Sequence, residues 1–258
     1  VSIQEKVPLR GTQGGTDAAD RVADVLLLLM DSPGPVRVSG VAAELGIAKS
    51  VAHRVLRSLV SRNLAEQAPG SSGYLLGPAA VALGAKAMSR SKLENAAAPL
   101  LRELRDRTQE TTLLTRPVAG GRVHVAQFES PHHVRMTVEL GAFRPWHAGA
   151  SGKILLAFAE PEFRERAIAQ EAEVYDLGEE AIAALKRDLE HARERGYVTS
   201  SGERNPDAGA VAAPVFVRGV AIAAVSVCGP RSRFTPAHAE RIAPMLLNVT
   251  QRLSARLS

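Results

Sequence analysis

Along the chain, the spacing of apolar positions changes character several times. Residues 1–16 (VSIQEKVPLRGTQGGT) are polar, Gly-rich and without periodicity, which predicts a mobile tail. From there Val22, Val25, Leu26 and Leu29 recur at helical spacing, predicting a helix capped by Thr16 or Asp17 and running to Met30. "DSPGP" breaks it. Ser39 then heads a very short helix, GVAAELG, closed by Gly46, and a third helix is predicted from about Ala48 to Asn63. "LAEQAPGSSGYLLG" reads as two short strands around a Gly/Ser turn, a β-hairpin.

Pro78 opens a further helix to about Met88, and after "SRSK" an amphipathic helix carries Leu93, Leu100, Leu101 and Leu104 to about Thr108. Beyond it the period shortens to two. "TTLLTRPV", "RVHVAQFES" and "HVRMTVEL" are expected as three strands, the first two joined at Ala119-Gly120-Gly121. A loop, "GAFRPWHAGASG", leads into the apolar helix KILLAF, with helices near 161–170 and 179–195. "AVAAPVFV" and "VAIAAVSVCG" form a strand pair turning at Arg218-Gly219, and a capped helix runs from Thr235. Helices mixed with hairpin-connected strands predict an α+β fold with a mainly antiparallel sheet.

The third helix has an unusual charge pattern. From Leu45 to Ala65 there is no acidic residue, yet Lys49, His53, Arg54, Arg57 and Arg62 lie there. At about 100° per residue, Ile47, Ala48, Val51, Ala52, Val55, Leu56 and Leu59 share one half of the helix. Lys49, Ser50, His53, Arg54, Arg57 and Ser61 occupy the other, with only Val60 apolar among them. Alone, this is an ordinary solvated face. Following a short helix and a tight Gly turn, and preceding a hairpin, it completes a winged helix-turn-helix, whose second helix enters the major groove. Lys49 and Ser50 then stand at the end that meets phosphates or base edges. His53 and Arg57 follow on the same face, with Arg57 suited to paired bonds with guanine. Arg54, at the edge, suits a phosphate or Glu44 equally. The wing tip, Gly70 to Gly73, carries no cation and reads as a plain turn.

Composition sharpens this picture. The 258 residues are 45% hydrophobic and 23% charged, enough apolar material for one large domain or two smaller ones. The longest apolar run, Val25 to Met30, is far short of the about 20 residues a membrane helix needs. With no signal-peptide pattern and a single cysteine, Cys228, the expected compartment is the cytoplasm. Residues 1–92 hold 11 Lys and Arg against 7 Asp and Glu, a balance of +4; the rest hold 21 against 20, a balance of +1. The excess points to an anionic partner for the first third.

At these residues the chain resembles a known family. "VSGVAAELGIAKSVAHRVLRSLVSRNLAEQ…GYLLG" is similar to the DNA-binding segment of IclR-type transcriptional regulators. The likeness continues through "WHAGASGKILLAF", "ERGYVTSSGE", "GAVAAPVF" and "AIAAVSVCGPRSRFT", in the family's order and spacing, and covers roughly 18–258. Val51 departs from it, standing where a Thr is common, which removes one phosphate contact. The resemblance implies a winged helix-turn-helix domain over 17–84, a linker and dimer helix region over 85–108, and a GAF-like effector-binding domain over 109–258. It also implies double-stranded operator DNA and a small, carboxylate-bearing effector as partners, and a homodimer or tetramer as the assembly.

Within the second domain, the resemblance places the effector against Ala148, Gly149 and Ala150. Exposed N–H groups at a helix start suit a carboxylate; the same small residues also suit a plain cap with tight packing. Ser226 and Cys228, two apart on one strand, share a face. Relatives line the pocket with polar groups there, although small core residues fit as well. Ala210 stands where relatives can carry a Cys or another pocket-lining group, and Ser200 where an acidic residue can occur, which favours an apolar or aromatic acid as effector. Trp146 and Met136 can border the pocket and Arg135 and Arg144 can pair with an anionic effector, but packing and solvation are the better readings.

Neither an enzyme nor a metal protein is expected. The seven histidines form no H-E-x-x-H or similar ligand pair, and His132 and His133 would point to opposite faces of a strand. There is no nucleophile elbow, P-loop or dinucleotide fingerprint, and no third group to orient a Cys228–His147 pair. No cofactor is called for. The expected function is ligand-modulated, sequence-specific DNA binding by a repressor or activator. The alternative is a metabolite-binding protein or small-molecule enzyme that does not bind DNA.

Overall fold

Thr16 caps the first helix by accepting from the Ala19 N–H, and α1 runs over Asp17–Asp31. The structure, a computed structural model, describes residues 16–258; the tail expected over 1–16 lies, but for Thr16, outside the described residues. Two compact units follow one another, dividing between Ser91 and Lys92.

The first unit adds β1 (Val36–Arg37), α2 (Val38–Leu45), α3 (Lys49–Val60), β2 (Ala65–Gln67), β3 (Gly73–Leu76) and α4 (Pro78–Arg90). Its small sheet has the order β1-β3-β2, all antiparallel. Ser39 does not cap α2. The helix begins one residue earlier, at Val38, with Arg37 as an N-cap that makes no side-chain bond. The reason is β1, whose pairing with β3 holds Val36 and Arg37 extended right up to the helix. Gly46 sits at φ 63°, the left-handed turn glycine adopts without strain, and lets the Ile47 N–H reach Ala42 O at 3.0 Å. The third helix stops at Val60 rather than Asn63, because the Leu64 N–H turns back to Leu59 O at 2.9 Å. Val25, Leu29, Val41, Ala52, Leu56, Leu59 and Ala65 close the core.

The helix α4 is tied to this unit by its start, where the Ala79 N–H donates to Asn63 O at 2.9 Å. None of its residues is buried, and Val81 and Leu83 are 71% and 63% exposed.

The second unit contains α5 (Lys92–Thr108), β4 (Thr111–Val118), β5 (Gly121–Phe128), β6 (Phe143–Arg144), α6 (Ala150–Ala157), α7 (Pro161–Val174) and α8 (Glu179–Arg195). It ends with β7 (Val198–Ser201), β8 (Ala208–Val217), β9 (Val220–Pro230) and α9 (Pro236–Leu257). The sheet order is β6-β5-β4-β9-β8-β7, antiparallel throughout. Alternate residues serve its two faces. Val211, Ala213, Val215, Ala223, Val225 and Val227 pack on α5 and α9. On the opposite face Ala212 and Ala224 pack against α6 and α8, their small side chains bringing those helices close. Among the described residues no helix is long and apolar enough to cross a membrane.

Within the region expected as linker and dimer helices, Leu93, Ala97, Leu100, Leu101 and Leu104 pack the 92–108 helix as a layer of the second unit. One expectation for this region changes: "HVRMTVEL" is not a strand. Phe143 and Arg144 of β6 take the edge of β5 instead. The segment runs as a strap whose backbone is held by side chains. Thr111 Oγ1 donates to Met136 O at 2.7 Å, and Gln127 Oε1 accepts from the Val138 N–H at 2.7 Å. The apolar alternation is present, but no strand among the described residues completes a ladder with it, and His132 and His133 are both exposed in the strap.

Candidate functional site

In the first unit α3 buries Ala52, Leu56 and Leu59 and exposes Lys49, Ser50, His53, Arg54, Arg57 and Ser58. The amphipathic division predicted by the helical period is therefore the one observed. No side chain caps the helix start. Lys49, Arg54 and Arg57 make no ion pair among the described residues, so Arg54 does not pair with Glu44. Arg62 instead folds along its own helix, donating to Ser58 O and Ser58 Oγ, both at 2.9 Å.

The hairpin tip is a compact turn. Gly70 lies at φ 70°, and Ser71 Oγ accepts from the Gly73 N–H at 3.0 Å. Gly73 packs so closely on Pro35 that a Cβ would lie 2.6 Å from the proline Cβ. The β1–β3 register sets Arg37 directly across from Gly73, exposed. A cation absent from the turn itself is thus supplied beside it by a strand too short to show a period.

In the second unit the polar face of the sheet meets the start of α6 across a cleft of about 660 Å³, which includes its mouth to solvent. Gly149, Ala150, Ser200, Ala210, Ser226 and Cys228 all line it. The ladder explains the grouping: Ala210 pairs with Cys228 and with Ser200, and Leu113 pairs with Ser226, which puts one row of side chains on one face. Ala148 stays outside the lining, its carbonyl accepting from Arg122 Nη2 at 2.6 Å.

The two donors expected to be open at the start of α6 are engaged. Glu203 Oε2 accepts from the Gly149 N–H at 2.8 Å, and Ser200 Oγ accepts from the Ala150 N–H at 3.0 Å. Buried Arg122 braces the same turn from below, donating from Nε to Ser151 Oγ at 3.0 Å. Glu171 braces it from outside: its carboxylate accepts from the Trp146 and His147 N–H groups at 2.5 and 2.7 Å and lies 2.9 Å from His147 Nδ1.

His124 lines the cleft with Nδ1 2.9 Å from Thr115 Oγ1. Burial, reinforced by Arg122 and Arg204, lowers its pKa to about 3, so the imidazole is neutral. Burial pushes the Cys228 thiol up to about 12, with Glu110 adding to the rise. A thiol held that firmly protonated is a poor nucleophile. His147 is bound to Glu171 and does not line the cleft, so the Cys228–His147 pairing has no support. Among the described residues no three metal-ligating side chains cluster.

Of the residues read as packing or solvated, Met136 lines the cleft, while Trp146 is buried edge-on against Phe163. Arg135 pairs with Glu129 at 2.7 Å, and Arg144 Nη1 donates to Phe143 O at 2.8 Å. Arg122, His124, Glu203 and Lys153 were not singled out from sequence. Glu203 and Lys153 lie within the segments that carry the family resemblance, "ERGYVTSSGE" and "WHAGASGKILLAF", and Arg122 and His124 lie two apart in the expected strand "RVHVAQFES".

Two family models match in tandem: the IclR helix-turn-helix domain over residues 18–69 and the bacterial transcriptional regulator IclR C-terminal domain over residues 85–255. The chain belongs to the IclR family of transcriptional regulators. It is 34% identical over 244 residues to the HTH-type transcriptional regulator BhcR of Paracoccus denitrificans, covering 93% of this chain and 87% of that protein. It is 31% identical over 218 residues to the glycerol operon regulatory protein of Streptomyces griseus, covering 84% and 86%. The crystal structure of an IclR transcriptional regulator from Alicyclobacillus acidocaldarius superposes with a TM-score of 0.82 at 26% identity, over 95% of this chain and 100% of that one. These IclR relatives are regulators, not enzymes, and the chain is a DNA-binding regulator of the same kind.

Proposed function

We propose that α3 is the recognition helix, and that a small organic acid bound in the cleft of the second unit modulates its hold on an operator. One observation carries the reading of α3: its cationic face is exposed and meets no carboxylate among the described residues. Lys49 and Ser50 serve phosphates or base edges at the helix start, His53 and Arg57 face the groove, and Arg54 holds phosphate. A single helix-turn-helix covers little DNA, so two copies on a partly palindromic site supply affinity and register. The exposed Val81 and Leu83 of α4 give a second copy an apolar surface, and a tetramer through the second units extends the same assembly. In the cleft, Leu113, Ala210 and Met136 favour an acid with an apolar or aromatic body. The acid acts by binding one arrangement of the chain better than another, since equal affinity would shift nothing.

The test is selection of bound genomic fragments, then titration of the preferred fragment at several salt concentrations with wild type and Arg57→Ala. The expected result is affinity that falls with salt, and in the variant a loss of about ten- to a hundredfold with relaxed sequence preference. Equal, weak binding of all fragments by both proteins rejects α3 as the reader.

A further inference from the structure

Glu203 lies in the loop between β7 and β8, yet its carboxylate reaches back to α6. Oε2 takes the Gly149 N–H, and Oε1 accepts from Lys153 Nζ at 2.5 Å. The partners differ in enclosure: the Lys153 side chain is 3% exposed and that of Glu203 is 31% exposed. Lys153 also donates to Asp188 Oδ2 at 2.7 Å, so it keeps a counter-charge if Glu203 leaves. Gly202, at φ 70°, turns the chain into this loop, and Glu203, Arg204 and Asn205 all line the cleft. On the floor of the same cleft Ser226 is 2% exposed, and its hydroxyl makes no hydrogen bond among the described residues. The cleft floor therefore presents an unpaired hydroxyl, on a residue otherwise enclosed, that opens into the cavity and can pair with a ligand.

We propose that Glu203 is a tethered carboxylate holding the anion position at the start of α6, and that the carboxylate of an organic acid takes this position by displacing it. The inference rests on the cleft binding an organic acid. A free carboxylate beside Glu203 meets a like charge with no donor left on Gly149, whereas one that replaces it inherits the Gly149 N–H and the Lys153 ammonium. The displaced Glu203, on an exposed loop, returns to water at little cost. The balance is then decided by what the rest of the ligand gains on the floor, beginning with Ser226. Exchange also unties the 201–208 loop from α6, so occupancy of the cleft changes the loop.

The experiment follows thermal unfolding of the full chain, wild type and Glu203→Ala, during titration with acetate against sodium chloride of equal ionic strength. In the variant, acetate enters the vacated position and raises the transition saturably, by about 3 to 6 °C at ten times its Kd. Wild type does not respond. Equal responses, or none in either protein, overturn the proposal. Glu203→Gln, which keeps an acceptor for Lys153 without the charge, serves if the alanine variant does not fold; it is expected to bind pyruvate or benzoate at least about tenfold more tightly than wild type through loss of like-charge repulsion. Equal Kd values for these acids in wild type and variant overturn the role of Glu203 and leave the organic-acid reading standing. Failure of all three acids to bind any of the proteins removes both.

Discussion

The face of α3 and the start of α6 both gather hydrogen-bond donors, and they differ in what meets them. On α3, Lys49, Arg54 and Arg57 are exposed, with no carboxylate opposite them among the described residues. At α6, Gly149, Ala150 and Lys153 already hold Glu203, Ser200 and Asp188. The contrast follows from burial. An exposed cation is hydrated and can wait for a polyanion, whereas a buried donor or charge left unpaired costs the folded state its full desolvation penalty. A surface for DNA can therefore be built unsatisfied. A cleft lined by enclosed donors has to supply partners for them from its own chain.

Substitutions that test the two regions should accordingly show up in different measurements. The largest effect on stability is expected at Glu171, which takes the Trp146 and His147 N–H groups of the turn before α6. Glu171→Ala leaves two enclosed donors unpaired and should destabilise the fold by about 3 kcal/mol, or about 6 to 12 °C in thermal unfolding. Arg57→Ala should leave unfolding within about 0.5 kcal/mol of wild type while weakening DNA binding. If Arg57→Ala is as destabilising as Glu171→Ala, the distinction between open and self-satisfied regions is lost.

A smaller effect is expected from His124 and appears as pH dependence. The unfolded imidazole takes up its proton near pH 6.5, while the folded one resists protonation down to about 3. Below pH 6.5 the unfolded chain therefore binds the extra proton. Its contribution to stability is intact above pH 6.5, falls as the pH drops towards 3, and is fully lost below that. By linkage, the loss at pH 5 is about 2 kcal/mol. His124→Asn, which keeps an acceptor near Thr115 Oγ1 and cannot titrate, should flatten the difference between pH 7 and pH 5 by that amount in denaturant unfolding. Parallel pH profiles for the two proteins would mean that the ring is not held neutral in the cleft.

What could be read from the sequence was what carries a period. The α3 face followed from its 3.6-residue repeat, and Ser226 and Cys228 from their i, i+2 spacing on β9, a strand long enough to show alternation. Two-residue strands carry no period, so β1 and β6 went unseen, and with them the displacement of the expected 133–140 strand. "HVRMTVEL" alternates like a strand, but strand identity needs a partner, and β6 takes that edge. The inward direction of Arg122, beside β6, depends on that pairing. Glu203 reaches α6 from more than fifty residues away in sequence, along a loop path that no local pattern specifies.

The smallest effect is expected where the sequence was least informative, at Arg37. The hairpin tip has no cation of its own, and its turn is closed by Ser71 and Gly73. The register of β1 on β3 sets Arg37 beside that tip, exposed and without an ion pair among the described residues. A cation so placed can meet a phosphate next to the groove proposed for α3, and a phosphate contact carries charge without base information. Arg37→Gln should therefore weaken binding to specific and unrelated duplexes by the same factor, a few-fold at moderate salt. It should also lower the slope of log affinity against log salt by about one. The base preference set by α3 should be unchanged. A variant that alters the preferred sequence would make Arg37 a reader of bases, and one that leaves the salt slope untouched would confine DNA contact to α3 itself.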